Sequence, residues 1–259
     1  MKIAVSGKGG VGKTTFCAYL IKALNESGYK VLAIDADPDA NLASALGIEL
    51  DDDMVPISEM KALIEERTET KLGTIGGIFK LNPKVDDLPD RLSIEREGIR
   101  LMVLGGIKKG GIGCVCPEST LLKNLVRHLV LDRREAVVMD MEAGLEHLGR
   151  GTAIGVDAFI VVVEPGRRSI MTAKNTKRLA DDLGIKRTYI VANKIRGKED
   201  REFIENSLKG LPILGYIPFS IQLVEADIRS VAPYELDKGI LNMVKEMFQG
   251  LKDRLRGGD

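Results

Sequence analysis

Residues 7–15 read Gly-Lys-Gly-Gly-Val-Gly-Lys-Thr-Thr, directly after the apolar run Ile3-Ala4-Val5. This is the spacing G-x-x-x-x-G-K-[ST], which requires a strand before it and a helix after it. Its small residues let the backbone wrap a phosphate with several N–H groups pointing inward. Lys13 adds a positive charge, Thr14 a hydroxyl for Mg²⁺, and the following helix its positive N-terminal end. Gly7, Lys8, Gly9, Gly10, Val11, Gly12, Lys13, Thr14 and Thr15 are therefore expected to hold the phosphates of a nucleotide. Lys8 is unusual, because it adds a cation where one nucleotide already has Lys13.

A loop of this kind sits in an alternating α/β chain, and the sequence alternates accordingly. Apolar runs at 3–6, 31–34, 99–104, 136–139, 158–163, 188–192 and 213–217 read as buried parallel strands. Helical patterns fall at about 14–27, 118–131, 169–183 and 200–208. The expectation is an α/β fold: a doubly wound, mostly parallel sheet of about seven strands flanked by helices. Ligands of such sheets sit at the carboxyl ends of the strands. Residues 1–259 are read as a single domain, with an irregular insertion at about 51–98 in which 57–67 looks helical.

The 38 basic and 38 acidic residues cancel, which disfavours nucleic acid and membrane surfaces as partners. No apolar stretch reaches the length of a membrane span. The first residues run straight into the glycine loop, unlike a signal peptide, and three cysteines do not suggest a disulfide scaffold. A cytoplasmic location is expected.

Two strands end in carboxylates. The run 31–34 is followed by Asp35, Asp37, Asp39 and Asn41. One carboxylate beside a phosphate loop can orient Mg²⁺ through water and another can position the attacking water. Asp37 is assigned to the water and Asp35 to the metal's outer sphere, while Asp39 and Asn41 are read as capping the next helix. The run 136–139 closes on Asp140, expected to hold Mg²⁺ directly or through water, with the Gly144 N–H donating to a γ-phosphate. The run 188–192 ends in Asn193 and Lys194, which suit the edge and face of a purine. Arg196 stands where a guanine-reading Asp would be expected, which favours adenine.

Together these pieces resemble the deviant Walker A ATPases, the family of MinD, ParA, the arsenite pump ATPase and the nitrogenase iron protein. The most specific element is Lys8-Gly9-Gly10-Val11-Gly12-Lys13-Thr14-Thr15. The resemblance implies that Lys8 reaches across a two-fold axis to the partner's nucleotide, and hence an ATP-controlled homodimer. It also implies a catalytic role for Asp37 and a metal-side role for Asp140.

A second motif is Cys114-Val115-Cys116-Pro117, preceded by glycines at 110, 111 and 113. In an extended segment the two thiols face one side. Pro117 places them at a helix N-terminus, where thiol pKa is expected to fall. Two sulfurs do not complete the coordination shell of Zn²⁺ or Ni²⁺, whereas a two-fold dimer would supply four. The layout is similar to a branch of the family whose accessory ATPases help insert nickel into carbon monoxide dehydrogenase. That implies one Ni²⁺ or Zn²⁺ bound between the paired Cys114 and Cys116 of two subunits, with that enzyme as client. A bridging [4Fe–4S] cluster fits less well, because the iron protein's second cluster cysteine falls at about His147. A partitioning or positioning ATPase stays open as an alternative.

Cys17 and His128 read as packing or surface groups, and His147 as structural. At the C-terminus, Ile240, Val244, Met247, Phe248, Leu251 and Leu255 recur at helical spacing, the pattern of a final helix packed on the domain.

Overall fold

The computed structural model describes residues 1–51, 53–72, 78–105, 116–129, 134–142 and 156–257. The first strand, β1 (Lys2–Gly7), enters the glycine loop and α1 (Lys13–Glu26) leaves it. Then follow β2 (Lys30–Ala36), α2 (Leu42–Ala45), α3 (Lys61–Thr68), α4 (Leu88–Leu92), β3 (Ile94–Arg96), β4 (Ile99–Val103), α5 (Pro117–His128) and β5 (Glu135–Met141). The second half runs β6 (Ala158–Val163), α6 (Arg167–Asp182), β7 (Thr188–Ile195), α7 (Lys198–Ser207), β8 (Ile213–Pro218), α8 (Ile221–Ile228), α9 (Pro233–Leu236) and α10 (Lys238–Gly257).

Eight strands form one sheet in the order β3-β4-β2-β5-β1-β6-β7-β8. All pairings are parallel except β3 with β4. The sheet thus has one strand more than the seven expected. The extra strand, β3, is three residues long, and Glu95 and Arg96 are exposed, so it carries no apolar signature. It turns back through Glu97 (φ 51°) and Gly98 (φ 78°), a two-residue hairpin whose positions both need left-handed backbone.

The buried runs read as strands because both faces of the sheet are covered. Along β1, Ile3 and Val5 join the core layer under α1 and α10, while Ala4 joins the opposite layer under α5 and α6. Tyr29 meets Phe248 edge to face, and Ile240, Val244, Met247, Phe248 and Leu251 are buried, so the apolar stripe of α10 faces the sheet. Among the described residues no helix is long and apolar enough to cross a membrane.

The irregular stretch before β4 is partly ordered. A 3-10 turn at Ile57–Glu59 precedes α3, so the helix expected at 57–67 breaks at Met60. Ile57, Ile64, Val85 and Leu88 pack into the same core layer as Leu121 and Leu125 of α5.

The chain places β2, β4 and β5 on one side of β1 and β6, β7 and β8 on the other. The loop after β1 therefore sits where the strand order reverses, the place where open α/β sheets bind their ligands.

Candidate functional site

The loop is shaped by two glycines at positions where a side chain would be strained. A Cβ at Gly7 would run into the Val162 carbonyl. Gly12 has φ +89°, and a Cβ there would come within 2.5 Å of the Asn193 amide. Gly12 caps α1 without a side-chain hydrogen bond, and no acidic residue stands in the first turn, so the first amides of α1 are left for an anion. Lys13 is 8% exposed, with Nζ 3.8 Å from Asp37 Oδ2.

Successive loop carbonyls are gripped from outside. Lys8 Nζ donates to Gly9 O at 3.4 Å, Lys194 Nζ to Gly10 O at 2.6 Å, and Asn193 Nδ2 to Val11 O at 2.8 Å. Val11 N–H closes a turn onto Lys8 O at 3.3 Å, and with these carbonyls occupied the other loop N–H groups suit a phosphate. Asn193 is 4% exposed, and its Oδ1 also accepts the Lys194 N–H at 2.9 Å. It therefore braces the loop, and its second amide hydrogen is not used in these bonds.

Three carboxylates meet this loop. Asp35 and Asp140 stand opposite each other in the β2–β5 register. Asp35 is buried and accepts the N–H of Leu42 at 2.8 Å and of Asp37 at 3.2 Å. The Leu42 bond, rather than one from Asn41, serves the first amide of α2; Asn41 occupies the N-cap position without a side-chain bond. Asp37 in turn accepts the Asp39 N–H at 3.1 Å. Burial pushes the Asp35 carboxyl up to about 7, against the pull of the Leu42 bond. Asp140 is 1% exposed, and neither of its oxygens has a hydrogen-bond partner within normal geometry. Burial pushes it up to about 6, while the Thr14 hydroxyl and the Lys13 charge lean the other way.

An orphaned buried carboxylate beside a hydroxyl fits a hard divalent cation. Mg²⁺ is held by one or two carboxylates plus substrate phosphates rather than by an all-protein cage. Among the described residues no group of three or more His, Cys, Asp or Glu is placed to hold a metal ion.

A cavity of about 780 Å³ opens over the loop. Its lining includes the polar Lys13, Thr14, Asp37, Glu142 and Asn193 and the apolar Pro218, Phe219 and Leu223. A lining that joins the phosphate-type loop with apolar side chains suits a nucleotide.

The comparisons with known proteins agree. Residues 2–234 match the family described as the CobQ/CobB/MinD/ParA nucleotide binding domain. The chain belongs to that family. It is a P-loop ATPase. It is 45% identical over 251 residues to an uncharacterized ATP-binding protein of Methanocaldococcus jannaschii, covering 96% of each chain. It is 44% identical over 257 residues to the carbon monoxide dehydrogenase accessory protein CooC of Rhodospirillum rubrum, covering 98% of this chain and 97% of that one. The MinD cell division protein of Aquifex aeolicus superposes with a TM-score of 0.67 at 22% identity, covering 100% of this chain and 97% of that one; at that identity the likeness is one of fold.

Of the cysteine motif, Cys116 lies within the described residues, whereas Cys114, Gly144, His147 and the glycines at 110, 111 and 113 lie outside them. Cys116 is the N-cap of α5, and its Sγ accepts the Ser119 N–H at 3.4 Å, with Pro117 in the first turn as expected. The thiol is not lowered as the helix end alone suggests. Burial pushes it up and Glu118 adds to that, against the Ser119 bond. Cys17 is fully buried in α1, and burial together with Asp140 pushes its thiol well up. His128 is exposed at the end of α5.

Two parts of this family site escape a reading of motifs. Pro218 and Phe219 complete the cavity wall; the signal was their position at the carboxyl end of an expected strand. Glu164 follows the wholly buried β6, and its carboxylate sits 3.7 Å from Lys8 Nζ and 3.1 Å from Lys194 Nζ. A lone acid closing an apolar strand was its signal.

Proposed function

We propose that this ATPase is a cytoplasmic metal-delivery accessory protein for carbon monoxide dehydrogenase, working as a homodimer controlled by Mg·ATP. The near full-length identity with CooC supports the client, and the Cys116 thiol at the α5 N-cap supports the metal. In this reading Cys114 and Cys116 from two subunits hold one Ni²⁺ or Zn²⁺ as cargo. Four thiolates around one ion require the metal to displace the Cys116 proton, which its raised thiol makes pH-dependent.

Loop amides and Lys13 bind the β- and γ-phosphates. Thr14 and Asp140 would hold Mg²⁺, which when bound neutralises charge on those phosphates. Asp37, half-buried beside Lys13, orients the attacking water, and Asp35 sets the turn that carries Asp37 through its bond to the Asp37 N–H. The Gly144 N–H contacts the γ-phosphate, Asn193 and Lys194 face the adenine, and Lys8 reaches the partner's nucleotide. The single observation behind the ATPase half is the unpartnered Asp140 carboxylate beside Thr14.

The test is the double variant C114S/C116S. It is expected to bind nucleotide while losing the one metal ion per dimer. Unchanged metal stoichiometry would remove the cargo role, and ATP-dependent co-sedimentation with DNA or liposomes would replace it with a positioning role.

A further inference from the structure

Glu164 serves two lysines unequally. Lys194 is hydrogen-bonded to it, with Nζ 3.1 Å from Oε2, and is also bonded to Gly10 O at 2.6 Å. Lys194 is further pinned by its N–H to Asn193 and holds a left-handed backbone at φ 58°. Lys8 is held more weakly. Its Nζ lies 3.7 Å from Glu164 Oε1, beyond hydrogen-bond length, and 3.4 Å from Gly9 O. The Lys8 and Glu164 side chains are 36% and 26% exposed. Charge alone therefore keeps Lys8 at Glu164, whereas geometry keeps Lys194 there. The Glu164 backbone is anchored by its own N–H to the buried Ser169 hydroxyl at 3.1 Å, and its carboxylate keeps the Lys194 bond when Lys8 leaves.

We propose that Glu164 is a positioning residue that latches Lys8 within its own subunit, and that Lys8 leaves this latch to reach the phosphates of a second copy of the chain. This rests on the reading of Lys8 as a trans-acting lysine. In that reading the latch sets how much nucleotide and protein are needed before two subunits close. Asp37 is paired with Lys13 and is spoken for, which leaves Glu164 as the carboxylate that meets Lys8 among the described residues.

Glu164→Gln separates the two roles. The amide removes the charge from both pairs but keeps an acceptor oxygen for the hydrogen bond from Lys194, whereas Lys8 has no hydrogen bond to Glu164 to retain. A partly exposed ion pair of this kind shifts an equilibrium by roughly 2–5-fold. A symmetric dimer opens two latches, so its dissociation constant falls by roughly 4–25-fold. The experiment is analytical ultracentrifugation of the full chain, E164Q, K8A and K8A/E164Q with Mg·AMPPNP over a protein dilution series. Fluorescent-nucleotide affinity of the dilute monomer is measured in parallel.

E164Q is expected to tighten the dimer, by less at about 0.5 M salt, and to change nothing in the K8A background. An unchanged or weaker E164Q dimer, or tightening that survives K8A, overturns the latch. A loss of monomer nucleotide affinity as large as the change in dimerisation also overturns it, by assigning Glu164 to loop bracing through Lys194. The two readings fail separately. If K8A weakens the dimer and E164Q does not tighten it, only the latch is wrong; if K8A dimerises like the parent, the trans role of Lys8 is wrong.

Discussion

Asp140→Asn separates the two demands placed on the buried carboxylate. In the fold, burial raises the group from 3.8 to about 6. The sign follows from that direction. Below pH 3.8 the carboxyl is neutral in folded and unfolded chains alike. Between 3.8 and about 6 the unfolded chain ionises first, so stability falls as pH rises, and above about 6 the loss is complete. Asn does not titrate, so its other effects, including the desolvation of an amide, form an offset that does not vary with pH. Without nucleotide or Mg²⁺, the variant should therefore gain on the parent by about 2 kcal/mol between pH 4.5 and 7. For a domain of this size that is a relative gain of about 4–8 °C in melting temperature. Relief of the Asp35 carboxyl, which Asp140 pushes up as well, adds in the same direction. The assay is thermal unfolding by circular dichroism in EDTA at several pH values. Adding Mg·ADP should reverse the order at pH 7.5, stabilising the parent and scarcely the variant. A difference between the two proteins that stays flat with pH, or that favours the parent as pH rises, would refute the reasoning.

Asp37→Asn is expected to leave nucleotide affinity within a few-fold and to slow hydrolysis by roughly 10²-fold or more, the scale of a lost water-orienting carboxylate, read by phosphate release under single-turnover conditions. Gly12→Ala is expected to lower stability by about 1–3 kcal/mol, because φ +89° and the Asn193 amide both oppose a Cβ, and to abolish nucleotide binding in the same titration calorimetry that registers the parent.

The parts of the structure legible in the sequence are those governed by local pattern. Strands covered on both faces, such as β6, announce themselves as unbroken apolar runs, and the loop spacing names its own flanking elements. The edge strand β3 does not, because Ile94, Glu95 and Arg96 are too few and too polar to show a period. The helix expected at 57–67 splits at Met60, where no Gly or Pro marks the break. At the site, Gly7–Thr15, Asp37, Asp140 and Asn193 were visible because each closes a strand or fills a motif. The uses to which they are put were less so. Asp35 was expected in the metal's outer sphere, and its two oxygens also accept backbone N–H groups, a bracing role that no motif reports. Asn193 was expected to contact a base, and its amide also holds the Val11 carbonyl, a second role that the motif does not report. The charge state of Cys116 depends on burial, which no spacing reports, and Glu164 depends on two lysines distant in the chain.

The cargo role, the dimer and the nucleotide site meet in one measurement: elemental analysis across a sizing column of the full chain loaded with Ni²⁺ or Zn²⁺, with and without Mg·ATP. The account predicts a dimer peak that carries one metal ion per two chains, with the distribution between dimer and monomer moved by Mg·ATP. Metal at one per chain in the monomer peak, or none in any peak, would contradict it.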